Sequence, residues 1–136
     1  MAGDWAEYSE GMKLGWDFSF SDVDMLIFAK LSKDQNPIHS NKSFALAKGF
    51  SNQIVYGLLL SSQLSRLIGE ELPDKNSILT GITMDFLNPA YPNELLHFDA
   101  ELLRKSDAMH LLHFKCRISR LGRVLCKGSA EAVWRR

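Results

Sequence analysis

The chain has 136 residues, 46% of them hydrophobic and 24% charged, which suits one globular domain, 1–136, able to bury a core of its own. Lys+Arg and Asp+Glu number 16 each, so no basic field is present to draw nucleic acid, and the longest apolar run, 54–60, is far too short to cross a bilayer. Neither a nucleic-acid nor a membrane partner is expected, and a net charge of zero does little to keep copies apart, which mildly favours an oligomer.

The first residues carry Asp4, Glu7 and Glu10 without an apolar segment, unlike a secretory signal, and are too acidic for a transit peptide; the cytoplasm is the expected location. Trp16, Phe18 and Phe20 alternate with Asp17 and Ser19, which predicts a short strand. Ser21, with Asp22 and Asp24 behind it, reads as an N-cap and acidic first turn. Val23, Leu26, Ile27, Lys30 and Leu31 follow at helical spacing. That helix is expected to stop near Ser32, because Asn36 stands before Pro37 and is pushed out of the α region. A second short helix is predicted over 41–48, with Asn41 as its N-cap and Gly49 as its stop. The third starts at Tyr56-Gly57 and reaches about Glu71. Leu58, Leu59, Leu60, Leu64, Leu67 and Ile68 make it apolar nearly all round, so other structure must wrap it.

Beyond Pro73 the apolar period becomes two. Segments 78–86, 96–102, 109–119 and 123–134 read as strands, the last two joined at Leu121-Gly122. Four consecutive strands on short turns predict an antiparallel meander whose apolar face needs a cover, and helix 57–71 is the only element long enough. The fold class is therefore α+β, an antiparallel sheet wrapped around a long central helix. Cys116 and Cys126 are the only cysteines. Their strand-like neighbours predict buried free thiols in a reducing compartment, with a disulfide as the alternative. His110 and His113 fall on opposite faces of a strand, so no metal site is expected there, and His97 reads as an exposed strand residue. Trp5, Trp16 and Trp134 are assigned to packing, and 87–94 to a proline-bounded loop between strands, near the mouth of any pocket.

Residues 34–39, DQNPIH, hold more polar chemistry than a core or a plain loop needs. An ionised carboxylate at Asp34 and an imidazole at His39, held near each other, can position one water and share its protons. General acid–base help of that kind contributes roughly 10²–10⁴ in rate. The plain alternative is that Asp34 and Asn36 shape a turn while His39 satisfies a local backbone group. At Tyr56-Gly57, a glycine opening an apolar helix lets a ligand approach N–H groups that stabilise negative charge, worth roughly 10²–10³ in turnover as an oxyanion donor. Here the plain alternative is close packing.

The stretch LSKDQNPIHSNKSFA followed by IVYGLLLSSQLS resembles the MaoC-like (R)-specific enoyl-CoA hydratase and acyl dehydratase family, and the resemblance runs from about Gly15 to the final strand. It implies the hot dog fold, a lyase of fatty acid metabolism, and a homodimer or larger homo-oligomer. Carried over by position, it implies Asp34 and His39 as the catalytic pair, Asn36 as a brace and the Gly57 backbone N–H as the oxyanion hole. Ser65 would support the pair. The reaction implied is addition of water to a trans-2-enoyl thioester, giving an (R)-3-hydroxyacyl thioester, or the reverse dehydration. The substrate would be an acyl-CoA, with acyl carrier protein as the other possible carrier, and no metal or cofactor is needed beyond the coenzyme A of the substrate. Three positions depart from the family pattern: Lys33 stands where a glycine is common, Gln53 near a usual proline, and Tyr56 at a usual histidine. All three are expected to border the pocket, with Gln53 and Tyr56 as pocket residues. An acyl-CoA thioesterase and a non-catalytic acyl-thioester-binding subunit are alternatives on the same fold.

Overall fold

Side chains of alternating polarity lock strands onto a core, and four of the five strands lie where the period is two. A computed structural model describes residues 3–136. In chain order these residues form β1 (Lys13–Phe18), α1 (Asp22–Ser32), α2 (Lys42–Ala47), α3 (Gly57–Arg66), β2 (Ser77–Phe86), β3 (Leu96–Ser106), β4 (Leu111–Arg120) and β5 (Arg123–Trp134). Helix α3 runs on into one π-helical turn, Leu67–Glu71, so the central helix spans the expected 57–71.

The strands form one antiparallel sheet in the order β1-β3-β4-β5-β2. This corrects the expected four-strand meander, because β2 does not pair with β3. Only β3, β4 and β5 follow one another in space. The segment between β2 and β3 carries Pro89 and Pro92 and is too long for a tight hairpin. It crosses to the far side of the sheet, where β3 lies between β4 and the other edge strand, β1. The β4–β5 turn behaves as read: Leu121 and Gly122 take φ of 49° and 80°, the left-handed pair of a tight hairpin. Gly128 on β5 allows β2 to lie close, since a Cβ there would collide with the Thr83 carbonyl.

The concave face of the sheet supplies Phe98, Leu102, Phe114 and Ile118, all fully buried, and α3 supplies Leu60 and Leu64 against them. Each such side chain stabilises the fold by about 1.5–3 kcal/mol relative to exposure. Cys116 and Cys126 are free and buried, and burial pushes their thiols up to about 12 and about 11. Trp16 stacks on Phe98 at 4.5 Å, while Trp5 and Trp134 pack 5.7 Å apart at the far end of the sheet. Helix α1 lies the other way round from what its spacing invites. Met25 is its buried residue, and Val23, Leu26, Ile27 and Leu31 are exposed. The strand β2 is an edge, with Ile78, Ile82 and Phe86 half exposed.

Candidate active site

The loop that follows α1 is written by short polar side chains. Ser21 and Asp24 form the capping box that starts α1. The helix ends at Ser32 because Lys33 turns left-handed, with φ 63° and ψ 12°, while its N–H donates to the Ala29 carbonyl at 3.0 Å. The stop therefore falls at Lys33, ahead of the restriction imposed by Pro37. This also accounts for the glycine common at that position in the resembled family: the backbone there is one that glycine adopts without a Cβ penalty. Ser32 Oγ accepts from the Asp34 N–H at 3.1 Å, Asp34 Oδ1 from the Asn36 N–H at 3.0 Å, and Asn36 Oδ1 from the Ile38 N–H at 3.0 Å. Pro37 then opens a 3₁₀ turn, Pro37–His39, and Asn41 caps α2. Asp34 and Asn36 do shape the turn.

That role uses only one oxygen of Asp34. His39 Nδ1 lies 2.8 Å from the Ile54 carbonyl oxygen. A carbonyl can only accept, so Nδ1 carries the proton and Nε2 is the spare ring nitrogen. Nε2 faces Asp34 Oδ2 at 3.9 Å, beyond direct hydrogen-bond range and within the span that one water can bridge. The imidazole is 12% exposed and the carboxylate 48%.

Tyr56 stands over this pair. Its ring stacks on His39 with centroids 3.9 Å apart, and its hydroxyl donates to the Asp34 carbonyl at 3.1 Å. Burial first, and the Asp34 carboxylate second, raise the phenol above its ordinary pKa. Gln53 joins Tyr56, His39, Met25 and Leu26 around a cavity of about 270 Å³.

Gly57 is the first residue of α3, and no side chain caps that end. The opening N–H groups of a helix have no acceptor of their own within it. Gly57 lines two cavities there, and His39 and Phe86 line both as well. The larger, about 360 Å³, is walled by Phe50, Ile54, Val55 and Leu60 and by residues 87–90 of the proline-bounded loop. The other, about 350 Å³, reaches Asp34, Tyr56 and Phe28. A Cβ on Gly57 would sit 2.9 Å from Phe86 Cζ, so close packing and ligand access both bear on this glycine.

The structure thus brings Asp34, His39, Asn36, Gln53, Tyr56 and Gly57 together. It does not bring Ser65, which is exposed on α3, eight residues beyond Gly57 and about 12 Å along the axis. Lys33 contributes its backbone, and its side chain is exposed. Phe86 and Phe50 were not singled out from the sequence. Phe86 continues the period of a strand, and nothing in that pattern marks its ring as a neighbour of the helix tip.

An antiparallel sheet curled around an apolar helix is the hot dog fold, and here an acid and an imidazole are set beside the helix tip. A family model described as MaoC like domain matches residues 9–116, so the chain belongs to the MaoC-like domain family. It is 32% identical over 123 residues to the (R)-specific enoyl-CoA hydratase of Aeromonas caviae, covering 90% of this chain and 91% of that protein. It is 30% identical over 118 residues to a mitochondrial 3-hydroxyacyl-[acyl-carrier-protein] dehydratase of Arabidopsis thaliana, covering 84% and 70%. The solved (R)-hydratase from A. caviae involved in PHA biosynthesis superposes with a TM-score of 0.88 at 29% identity, over 94% of this chain and 98% of that one.

Proposed function

We propose that the chain is a hydro-lyase that adds water to trans-2-enoyl thioesters to give (R)-3-hydroxyacyl thioesters, and catalyses the reverse dehydration. The observation that carries this is the unspent pair, Asp34 Oδ2 and His39 Nε2 at 3.9 Å, beside an uncapped helix tip and an apolar cavity. One water held between the two atoms loses a proton to the pair as its oxygen bonds to C3. The electron pair of the C2=C3 bond moves toward the carbonyl, and the enolate oxygen takes its charge against the Gly57 N–H. The proton then returns from the pair to C2, so the elements of water are added with nothing left over. Asn36 braces the loop through its bond to Ile38. The acyl chain lies in the 360 Å³ cavity. Coenzyme A is the carrier we favour, and comparing acyl-CoA with acyl carrier protein substrates distinguishes the two.

The two shares of sequence identity above support this chemistry, one relative being named for hydration and the other for dehydration. We propose a homodimer as well, because β2 is an unpaired edge carrying Ile78, Ile82 and Phe86 half exposed, a ready template for a second copy. Light scattering should give twice the chain mass. No helix of the described residues is long and apolar enough to cross a membrane, and with buried free thiols the cytoplasm is the location we propose.

The test is hydration of crotonyl-CoA, followed by loss of enoyl absorbance and chiral analysis of the product. Asp34→Asn and His39→Ala should each lower the rate by about 10²–10⁴ with the fold intact. Wild-type rates in both variants would remove the mechanism, and release of free thiol without loss of the enoyl group would replace it with a thioesterase.

A further inference from the structure

Tyr56 lies outside the acid–base pair, yet one side chain touches both members of the loop that carries it. The hydroxyl donates to the Asp34 carbonyl at 3.1 Å. The ring lies nearly face to face with His39, 3.9 Å between centroids and 25° between planes. Phe28 from α1 backs the phenol at 4.8 Å, and Tyr56 itself is buried. Its backbone, at φ −55° and ψ 131°, is the extended step that delivers the chain into Gly57.

The geometry gives each contact a task. A histidine fixed at one edge by Nδ1–H to the Ile54 carbonyl can still swing about that bond, because its terminal torsion is soft. A ring stacked on its face removes the swing and fixes where Nε2 points. Asp34 sits half exposed in a loop, and the Tyr56 hydroxyl anchors its backbone to the core. The ionisable groups facing the phenol are Asp34, His39 and, across the shared cavity, Asp22.

Taking the hydratase reading as its basis, we infer that Tyr56 is a positioning residue, which holds Asp34 and His39 in register with the Gly57 N–H through its two contacts. Burial and the Asp34 carboxylate keep the phenol protonated, so the hydroxyl stays a donor across the neutral range. Misplacing a reacting group by an ångström can cost about 10²-fold in rate, without weakening the binding of substrate.

The test uses the full chain with Tyr56→Phe and Tyr56→Leu. Phenylalanine keeps the stacked ring and drops the hydrogen bond, whereas leucine drops both. On crotonyl-CoA, kcat should fall about 10-fold in the first and about 100-fold in the second, with KM within about twofold of wild type. Nitrogen-15 spectra of the His39 ring should keep Nδ1 protonated in both proteins, since the Ile54 carbonyl stays in place, but the Nε2 resonance, sharp and single in the wild type, should shift and broaden through ring motion in the leucine variant. Unchanged kcat together with an unmoved ring signature overturns the inference. So does a rise in KM at constant kcat, which would make Tyr56 a wall of the substrate site. Should the wild type turn over no enoyl thioester, the hydratase reading fails by itself, and the ring spectra, which need no turnover, decide the role of Tyr56. Should leucine fail to fold, the phenylalanine variant still reads the hydroxyl.

Discussion

Two buried or half-buried carboxylates sit beyond the two ends of the central helix, and they have opposite fates. Past the C-terminal end, Asp74 is 5% exposed and both its oxygens are committed. Oδ2 accepts from the Trp134 indole at 2.9 Å and Oδ1 from the Asn76 N–H at 2.8 Å. The Tyr8 phenol is buried nearby and is pushed up to about 12, chiefly by that burial. Before the N-terminal end, Asp34 spends Oδ1 on its turn and leaves Oδ2 facing a spare ring nitrogen and open space. An acid with both oxygens engaged by the fold holds structure. An acid with one oxygen left over, opposite a group that can exchange a proton with it, has something to offer a substrate.

The widest separation between the two ends comes from neutralising each acid in turn. Asp34→Asn should lower crotonyl-CoA hydration by about 10²–10⁴ while the melting temperature stays where it is, since the amide oxygen can still take the Asn36 N–H. Asp74→Ala should leave kcat alone. A variant at Asp74 that folded normally and lost turnover would dissolve the distinction between the ends.

The helix tip allows a sharper cut, because the donor assigned there belongs to the backbone. Gly57 occupies the first helical position, where proline is well tolerated, and Tyr56 already has the extended conformation required before proline. Gly57→Pro therefore deletes one N–H and keeps the helix, and it should lower kcat by about 10²–10³. Gly57→Ala adds a comparable Cβ against the Phe86 ring, which is half exposed and free to yield, but keeps the N–H. Equal losses in the two variants would assign the glycine to packing.

At the structural end the effect is on stability. Removing the Asp74 carboxylate in Asp74→Ala strands the buried Trp134 N–H, which costs about 1–3 kcal/mol. Thermal or urea unfolding at fixed pH measures it, and an unchanged midpoint would mean that water replaces the carboxylate there.

The contrast between the ends was half visible in the chain itself. The candidate site lies in two short stretches, 34–39 and 55–57, so its residues could be read as a string. The cap at Ser21, the turn at Leu121-Gly122 and the wrapped helix followed from local rules. What escaped was decided by partners distant in sequence. Strand β2 pairs with β5 across the sheet, and no local pattern states that its edge lies there. Asp74 meets Trp134, sixty residues on. Phe86 reaches the helix tip from a strand whose alternation looked ordinary. Ser65 shows the converse case, since matching a position to a family pattern does not say whether a helical side chain is buried or exposed, and Ser65 is exposed.

Lys33 supplies the smallest test, and it separates backbone from side chain at the site. Its departure from glycine looked like a change in the pocket, yet the residue is exposed and its distinctive feature is φ 63°. A residue with a Cβ pays roughly 1–2 kcal/mol to hold the left-handed conformation, and glycine does not. Glycine gives back part of that gain through the greater freedom of its unfolded chain. Lys33→Gly should therefore stabilise the protein by about 1 kcal/mol, raising the melting temperature by a few degrees. Turnover should stay at the wild-type level, because the N–H that closes α1 on Ala29 and the Ser32 bond to Asp34 both remain. A lower melting temperature would show that the lysine side chain contributes more than its backbone costs, and a changed kcat would return Lys33 to the pocket.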